Sequence, residues 1–179
     1  CRPTQTVLQP GDPQWQVTTD LGYDGFGNVN SQTVTGIGMS ARTTAVNWGS
    51  TGQFPVSVTN ALSQTTQKGW DYALGVPTSE TDPNGITTSW QYDAFGRRNR
   101  ENRPDGTYST TTPYLCTAWA GACNSWDNGF YRVDQTHFDS AGTTVNWTVT
   151  FHDPLDRMLD RASLNRDGNQ VNERWLFDA

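Results

Sequence analysis

Along most of the chain, apolar or hydroxyl-bearing positions alternate with polar ones in short stretches, and Gly, Asn, Asp and Pro cut these stretches at regular intervals. Ile86-Thr87-Thr88-Ser89-Trp90-Gln91-Tyr92 is representative, because its alternation gives a strand two different faces. Asp-Pro-Asn-Gly at 82–85 and Pro-Asp-Gly at 104–106 suit tight turns. Pro fixes φ, the Asx side chain caps the turn, and Gly takes the positive-φ position. One stretch reads two ways. Leu155, Met158, Leu159 and Ala162 recur at helical spacing behind Asp153-Pro154, a suitable N-cap and first helical position. A helix over about 154–163 therefore competes there with the turn and strand expected elsewhere.

The stretches repeat. Tyr23-Asp24-Gly25-Phe26-Gly27-Asn28 returns as Tyr92-Asp93-Ala94-Phe95-Gly96-Arg97 and, more loosely, as Phe138-Asp139-Ser140-Ala141-Gly142-Thr143. His152-Asp153-Pro154-Leu155-Asp156-Arg157 keeps the pattern with Asp in the place of Gly. Trp70-Asp71 opens another copy, with one extra residue before Gly75, and Phe177-Asp178-Ala179 is the first half of one more. Residues 56–72 also overlay residues 78–94 at a shift of 22, with Asn60 on Asp82, Ser63 on Gly85 and Trp70-Asp71 on Tyr92-Asp93. Each unit reads as strand, turn, strand, turn, and needs stacked neighbours to cover its apolar positions. The expected organisation is an N-terminal extension or linker at 1–14 and an array over 15–179. Its units are of about 22 residues, irregular between 107 and 137, and the last is cut inside a repeat. The 14 residues from Asp139 to Asp153 break the spacing.

Composition narrows the class. Charged residues are 17% of the 179 and aromatics 12%, which argues against disorder. One Lys and three Glu are too few for a helical bundle, whereas 26 Thr, all before residue 151, favour strands. No run approaches the ~18 apolar residues of a membrane helix. A net charge of −6 argues against nucleic acid as a main partner. Arg97, Arg98, Arg100 and Arg103 are a local exception, read as a solvated or ion-paired strand.

The motif Tyr92-Asp93-Ala94-Phe95-Gly96-Arg97, preceded by Asp82-Pro83-Asn84-Gly85-Ile86-Thr87-Thr88, resembles the YD repeat of the RHS (rearrangement hotspot) proteins. That family includes shell-forming subunits of insecticidal toxin complexes, polymorphic toxins, wall-associated proteins and the teneurins of animals. The resemblance implies an all-β fold of antiparallel β-hairpin repeats stacked into a curved or spiral sheet. It also implies a non-enzymatic structural segment of a secreted bacterial protein, extracellular or at the cell surface, that scaffolds or encapsulates a toxin or other polypeptide. Its partners would be neighbouring YD repeats of the same or another chain. The self-cleaving core segment of the toxin-releasing members, rich in Asp-Pro and Gly-Leu, has no counterpart here. Two other readings are a surface module binding glycans and a self-assembling β-repeat subunit that grows through its terminal strands.

Candidate chemistry is sparse. Of 15 Asp, nine fall in turns: Asp24, Asp71, Asp93, Asp139, Asp153 and Asp178 after an aromatic or His, and Asp82, Asp105 and Asp167 before Gly. No remaining carboxylate pair asks for an acid/base role. His137 and His152 adjoin repeat positions and lack a nucleophile partner, so both read as structural, and neither a metal nor a cofactor is expected. Asn165-Arg166-Asp167-Gly168-Asn169 lacks the regular acidic ligands of a calcium loop and reads as a turn. Cys116 and Cys123 bracket a short loop suited to a disulfide, which would imply an oxidising compartment and leave Cys1 over. Of eight Trp, Trp119 and Trp126 stand in and just after that loop and are the candidates for ligand contact; the others read as packing residues. The repeat residues expected to be structural are Tyr23, Gly27, Gly75, Gly85, Tyr92, Gly96, Arg97, Phe138, Gly142 and Arg157, with Trp70 and the turn aspartates.

Overall fold

A computed structural model gives the fold and describes residues 1–12, 14–116 and 130–176. Two compact units divide the chain, Cys1–Thr87 and Thr88–Ala179. The first holds β1 (Gln5–Leu8), β2 (Val17–Tyr23), β3 (Val29–Gly36), β4 (Arg42–Asn47), β5 (Ser57–Thr59), β6 (Thr65–Asp71) and β7 (Val76–Thr81). The second holds β8 (Thr87–Tyr92), β9 (Arg98–Asn102), β10 (Tyr108–Leu115), β11 (Tyr131–Phe138), β12 (Thr144–His152), β13 (Met158–Leu164) and β14 (Gln170–Arg174). Within each unit every strand pairs antiparallel with the strand before it, so the fold is all-β and built of consecutive hairpins. No helix occurs among the described residues, hence none that could cross a membrane. Residues 5–8, inside the stretch expected to be an extension, form β1 and pair with β2 from Gln5↔Asp20 to Leu8↔Val17.

The helical alternative at 154–163 is incorrect. Met158–Leu164 is β13, and the residues before it form a turn. Asp153 caps that turn by accepting the Leu155 and Arg157 amides, each at 2.9 Å, while Asp156 at φ 65° lies outside right-handed helical space. The apolar spacing that suggested a helix comes from a turn-tip residue, Leu155, followed by a strand.

Among the described residues, contacts between strands join sequence neighbours only, so each unit is a single layer of sheet there. Among the described residues only Phe151 and Asp153 are buried, and no large side chain is fully buried. An antiparallel sheet ordinarily packs one face on a core. Here turns, cross-strand pairs and half-buried faces hold the hairpins, and that arrangement puts the repeat motif at the centre of any functional account.

Candidate functional site

The repeated element is one five-residue turn. Asp24 Oδ1 accepts the Phe26 and Asn28 amides at 2.9 and 2.8 Å, the Asp24 amide donates to Asn28 O at 3.0 Å, and Gly27 at φ 90° donates to Asp24 O at 3.0 Å. The same pattern starts at Asp82, Asp93, Asp139 and Asp153. It also starts at Asn60 and Asn165, whose side-chain oxygens cap as the carboxylates do. Arg103 occupies the first position at 103–107, and there Asp105 accepts the Thr107 amide instead, at 2.9 Å. Asp71 caps a loop one residue longer, closed by Gly75 N to Asp71 O at 2.8 Å. The fourth position needs positive φ. Gly supplies it at 27, 85, 96, 106, 142 and 168, whereas Ser63 and Asp156 adopt it as L-residues at φ 61° and 65°.

The Tyr-Asp and Asp-Pro-Asn-Gly motifs, which read as two kinds of turn, share this geometry and differ in what precedes it. At each aromatic-Asp or His-Asp pair among the described residues the ladder slips, at Gly22/Tyr23, Gly69/Trp70, Gln91/Tyr92, His137/Phe138 and Phe151/His152. The returning strand carries one extra residue at each slip, a bulge that re-aims the ring. Phe138 stacks on Tyr108 at 4.4 Å and His152 on Tyr131 at 4.7 Å, each directly across a ladder. Trp70 stacks on Phe54 at 4.5 Å, and the Tyr23 hydroxyl donates to Pro3 O. The slips were absent from the sequence reading; the constant aromatic-Asp pairing was the available signal. The 14-residue interval also resolves: Asp139 and Asp153 cap turns at opposite ends of β12, one strand apart.

Hydrogen bonds hold the Asp24, Asp82, Asp93, Asp105 and Asp153 carboxylates below the ordinary Asp value of 3.8. The Ile86 amide is the largest influence at Asp82 and the Arg97 amide at Asp93; at Asp105 it is the Thr107 hydroxyl. At Asp24 and Asp153 the largest influence is burial, which raises the value, and it is outweighed by the amides together with the Asn28 side chain at Asp24 and the Arg157 side chain and its charge at Asp153. Arg97 and Arg157 each pair with their own turn carboxylate at 2.7 Å. The Tyr131 hydroxyl donates to Asp156, and that bond, with burial and the charges of Asp156 and Asp153, pushes it up to about 12.

Of the other candidates, Arg98 and Arg103 pair with Glu101 at 3.2 and 3.3 Å, and Arg100 lies 3.9 Å over the Tyr108 ring. His137 Nδ1 meets the Ser109 hydroxyl at 2.9 Å, and His152 Nδ1 lies 3.2 Å from Asp156. The indole N–H groups of Trp48, Trp70 and Trp90 donate to Val29 O, Pro55 O and Glu101. No group of three His, Cys, Asp or Glu side chains placed to hold a metal occurs among the described residues. The Cys116 amide donates to Phe130 O at 2.9 Å where β10 ends, and Cys1 is free and exposed. Cys123, Trp119 and Trp126 lie outside the described residues, as does Asp178.

The family model named RHS Repeat matches residues 72–108, from the Asp71 turn to the start of β10. Among solved structures, the chain is similar to the crystal structure of TcdB2-TccC3, at 16% identity and a TM-score of 0.58 over 95% of this chain and 10% of that one. It is also similar to TcdB2-TccC3 without the hypervariable C-terminal region, at 13% identity and 0.58 over 96% and 13%, and to TcdB2-TccC3-TEV, at 14% and 0.58 over 82% and 8%. The chain thus spans about a tenth of the length of these proteins. No curated protein matches it. The chain thus carries an RHS repeat at 72–108, and the same capped turn and antiparallel pairing continue on either side of it.

Proposed function

We propose that the chain is a non-enzymatic wall segment of an extracellular bacterial RHS-repeat protein, encapsulating or scaffolding a toxin or other polypeptide. The single-layer sheet carries this reading. Neither unit has a closed core, and among the described residues only Phe151 and Asp153 are buried, so neither unit spends its side chains on an interior of its own. A wall has two usable faces and no need of a core; an independent globular domain does need one. Neighbouring YD repeats would continue the hairpin array, and a Cys116–Cys123 disulfide would close the loop after β10 in an oxidising compartment. Limited proteolysis of the protein as its host produces it tests the reading. Encapsulation predicts that a polypeptide outside the repeats survives as long as the repeats do and is digested once acid unfolds them. A digest in which nothing besides the repeats is protected overturns it.

A further inference from the structure

The turn at 82–86 holds a chemically reactive pair inside its cap. Asn84-Gly85 is the one Asn-Gly dipeptide among the described residues. Both residues are exposed, Gly85 stands at φ 81°, and a Cβ there would meet nothing within 4 Å. Three bonds to Asp82 restrain the pair. The Asn84 backbone amide donates to Oδ1 at 2.8 Å, the Asn84 side-chain amide donates to Oδ2 at 3.3 Å, and the Gly85 amide donates to the Asp82 carbonyl at 3.0 Å.

We propose that Asn84-Gly85 is a self-modification site that the Asp82 cap keeps closed: when the turn opens, the chain deamidates there, and the product cannot rebuild the cap. The only co-reactant is water. The Gly85 nitrogen gives its proton to solvent and attacks Asn84 Cγ; the bond from Cγ to the side-chain nitrogen breaks, and ammonia leaves with a proton taken from solvent. Water then opens the cyclic imide at either carbonyl and leaves Asp or isoaspartate at 84. Glycine permits the attack because it has no Cβ to shield its nitrogen. In the closed turn that nitrogen cannot act, since its hydrogen is committed to Asp82 O and is exposed to solvent only through local opening. The bond from Nδ2 to Asp82 Oδ2 ties the other reacting group to the cap as well.

The remaining turns indicate what the product does. Where the first turn residue is Asp, at 24, 82, 93, 139 and 153, the third is Phe26, Asn84, Phe95, Ala141 or Leu155. A carboxylate in third place, Asp105 or Asp167, follows Arg103 or Asn165. None of the described five-residue turns has carboxylates at both places. Asp at 84 would put them there, and a donor 3.3 Å from Asp82 Oδ2 would become a second negative charge. Isoaspartate does more. It routes the backbone through the side-chain carbon and so adds a methylene between the Asn84 and Ile86 amides, the two that Asp82 Oδ1 accepts. Opening of the turn is thereby written into the covalent structure, and refolding does not reverse it.

Incubation of the intact chain near pH 7, followed by mass mapping of the tryptic peptide 69–97, in which Asn84 is the only Asn, tests the proposal. Conversion to a mixture of Asp and isoaspartate is expected, at least about tenfold slower in the folded chain than in the same chain unfolded in urea. Asp82→Ala should speed it about tenfold in the folded chain, because hydrogen bonds to a charged group are lost. Asp82→Asn keeps an acceptor for both amides and should stay slow. Asn84→Asp should lower amide protection at 84 and 86, and adding Asp82→Asn should restore it by reproducing the Asn165 and Asp167 arrangement. Equal rates in folded and unfolded chains, an Asp82→Ala chain that converts no faster, an Asn84→Asp turn as well protected as the original, or no conversion even in urea would each overturn it.

Discussion

The units 1–87 and 88–179 build the same hairpins from different side chains. The first has nine charged residues and the second 21, yet each carries a net charge of −3. In the first, threonine hydroxyls join across strands, Thr33 to Thr43 at 2.9 Å and Thr59 to Thr65 at 2.8 Å. In the second, ion pairs and cation–ring contacts take that place, with Arg132 paired to Asp134 at 2.7 Å, Arg174 to Asp160 at 2.9 Å, and Arg132 lying over Tyr114 at 4.8 Å. What the units share is the capped turn. The hairpin is therefore specified at its ends, and its faces are left open to whatever chemistry suits the location.

Removing the positive-φ glycine tests this equivalence most severely. Gly85 in the first unit and Gly96 in the second have φ 81° and 76°, and a Cβ at either would meet nothing within 4 Å. Gly85→Ala and Gly96→Ala therefore report backbone strain alone, about 1–2 kcal/mol each. Hydrogen exchange in the flanking strands should give the same loss for both. A loss confined to one unit would show that its faces, and not its turns, hold it together. Ser63→Gly runs the other way and should stabilise its hairpin by about 0.5–1 kcal/mol, because it removes an L-residue from φ 61°.

The turns were legible in the sequence for a physical reason. A carboxylate or amide two and four residues before the amides it caps, followed by Gly, admits few other backbones, so Asp24, Asp82, Asp93 and Asp139 read directly. The overlay of 56–72 on 78–94 already put Asn60 on Asp82 and Ser63 on Gly85, and 165–169 read as a turn; what needed the geometry is that Asn165, and not Asp167, is the cap there. The ladder slips were hidden, since a bulge is a property of two strands and the residue it leaves unpaired can be Asn30, Thr78, Asn99, Val145 or Leu159. Face chemistry was hidden for the same reason. Arg98 and Arg103 converge on Glu101 from either side in sequence, while Ser109 and His137 come from two further strands.

Salt should separate the faces that the turns leave equal. Exposed ion pairs contribute about 0.2–1 kcal/mol each and are screened as the Debye length falls from ~10 Å at 0.1 M to ~3 Å at 1 M. Threonine pairs across strands contribute a similar ~0.2–1 kcal/mol but carry no charge. Moving from 0.1 M to 1 M NaCl should then accelerate amide exchange in β9–β14 relative to β2–β6. Thr59→Val with Thr65→Val should weaken the first unit equally at both salt concentrations. Equal salt responses of the two units would mean that the ion pairs of the second contribute nothing measurable.

Acid gives the finest distinction, because it acts on individual caps within a unit. Asp24, Asp82, Asp93, Asp105 and Asp153 are held below 3.8 in the folded chain, so their folded form binds protons less readily than the unfolded one. The stability they contribute is complete above that value and is lost as pH falls below it, through their depressed folded values. The Asn60 and Asn165 turns use a neutral amide in the same geometry and have nothing to protonate. Between pH 5 and pH 2, by the range over which such carboxylates protonate, amide protection should fall first beside the Asp caps and last beside the two Asn caps. Asp82→Asn and Asp93→Asn should convert their turns to the acid-resistant kind at little cost near pH 7, since the amide oxygen can accept the same two N–H groups. If the Asn-capped and Asp-capped turns open together, acid is acting on the ion pairs of the faces, and the second unit, with more of them, should then unfold first.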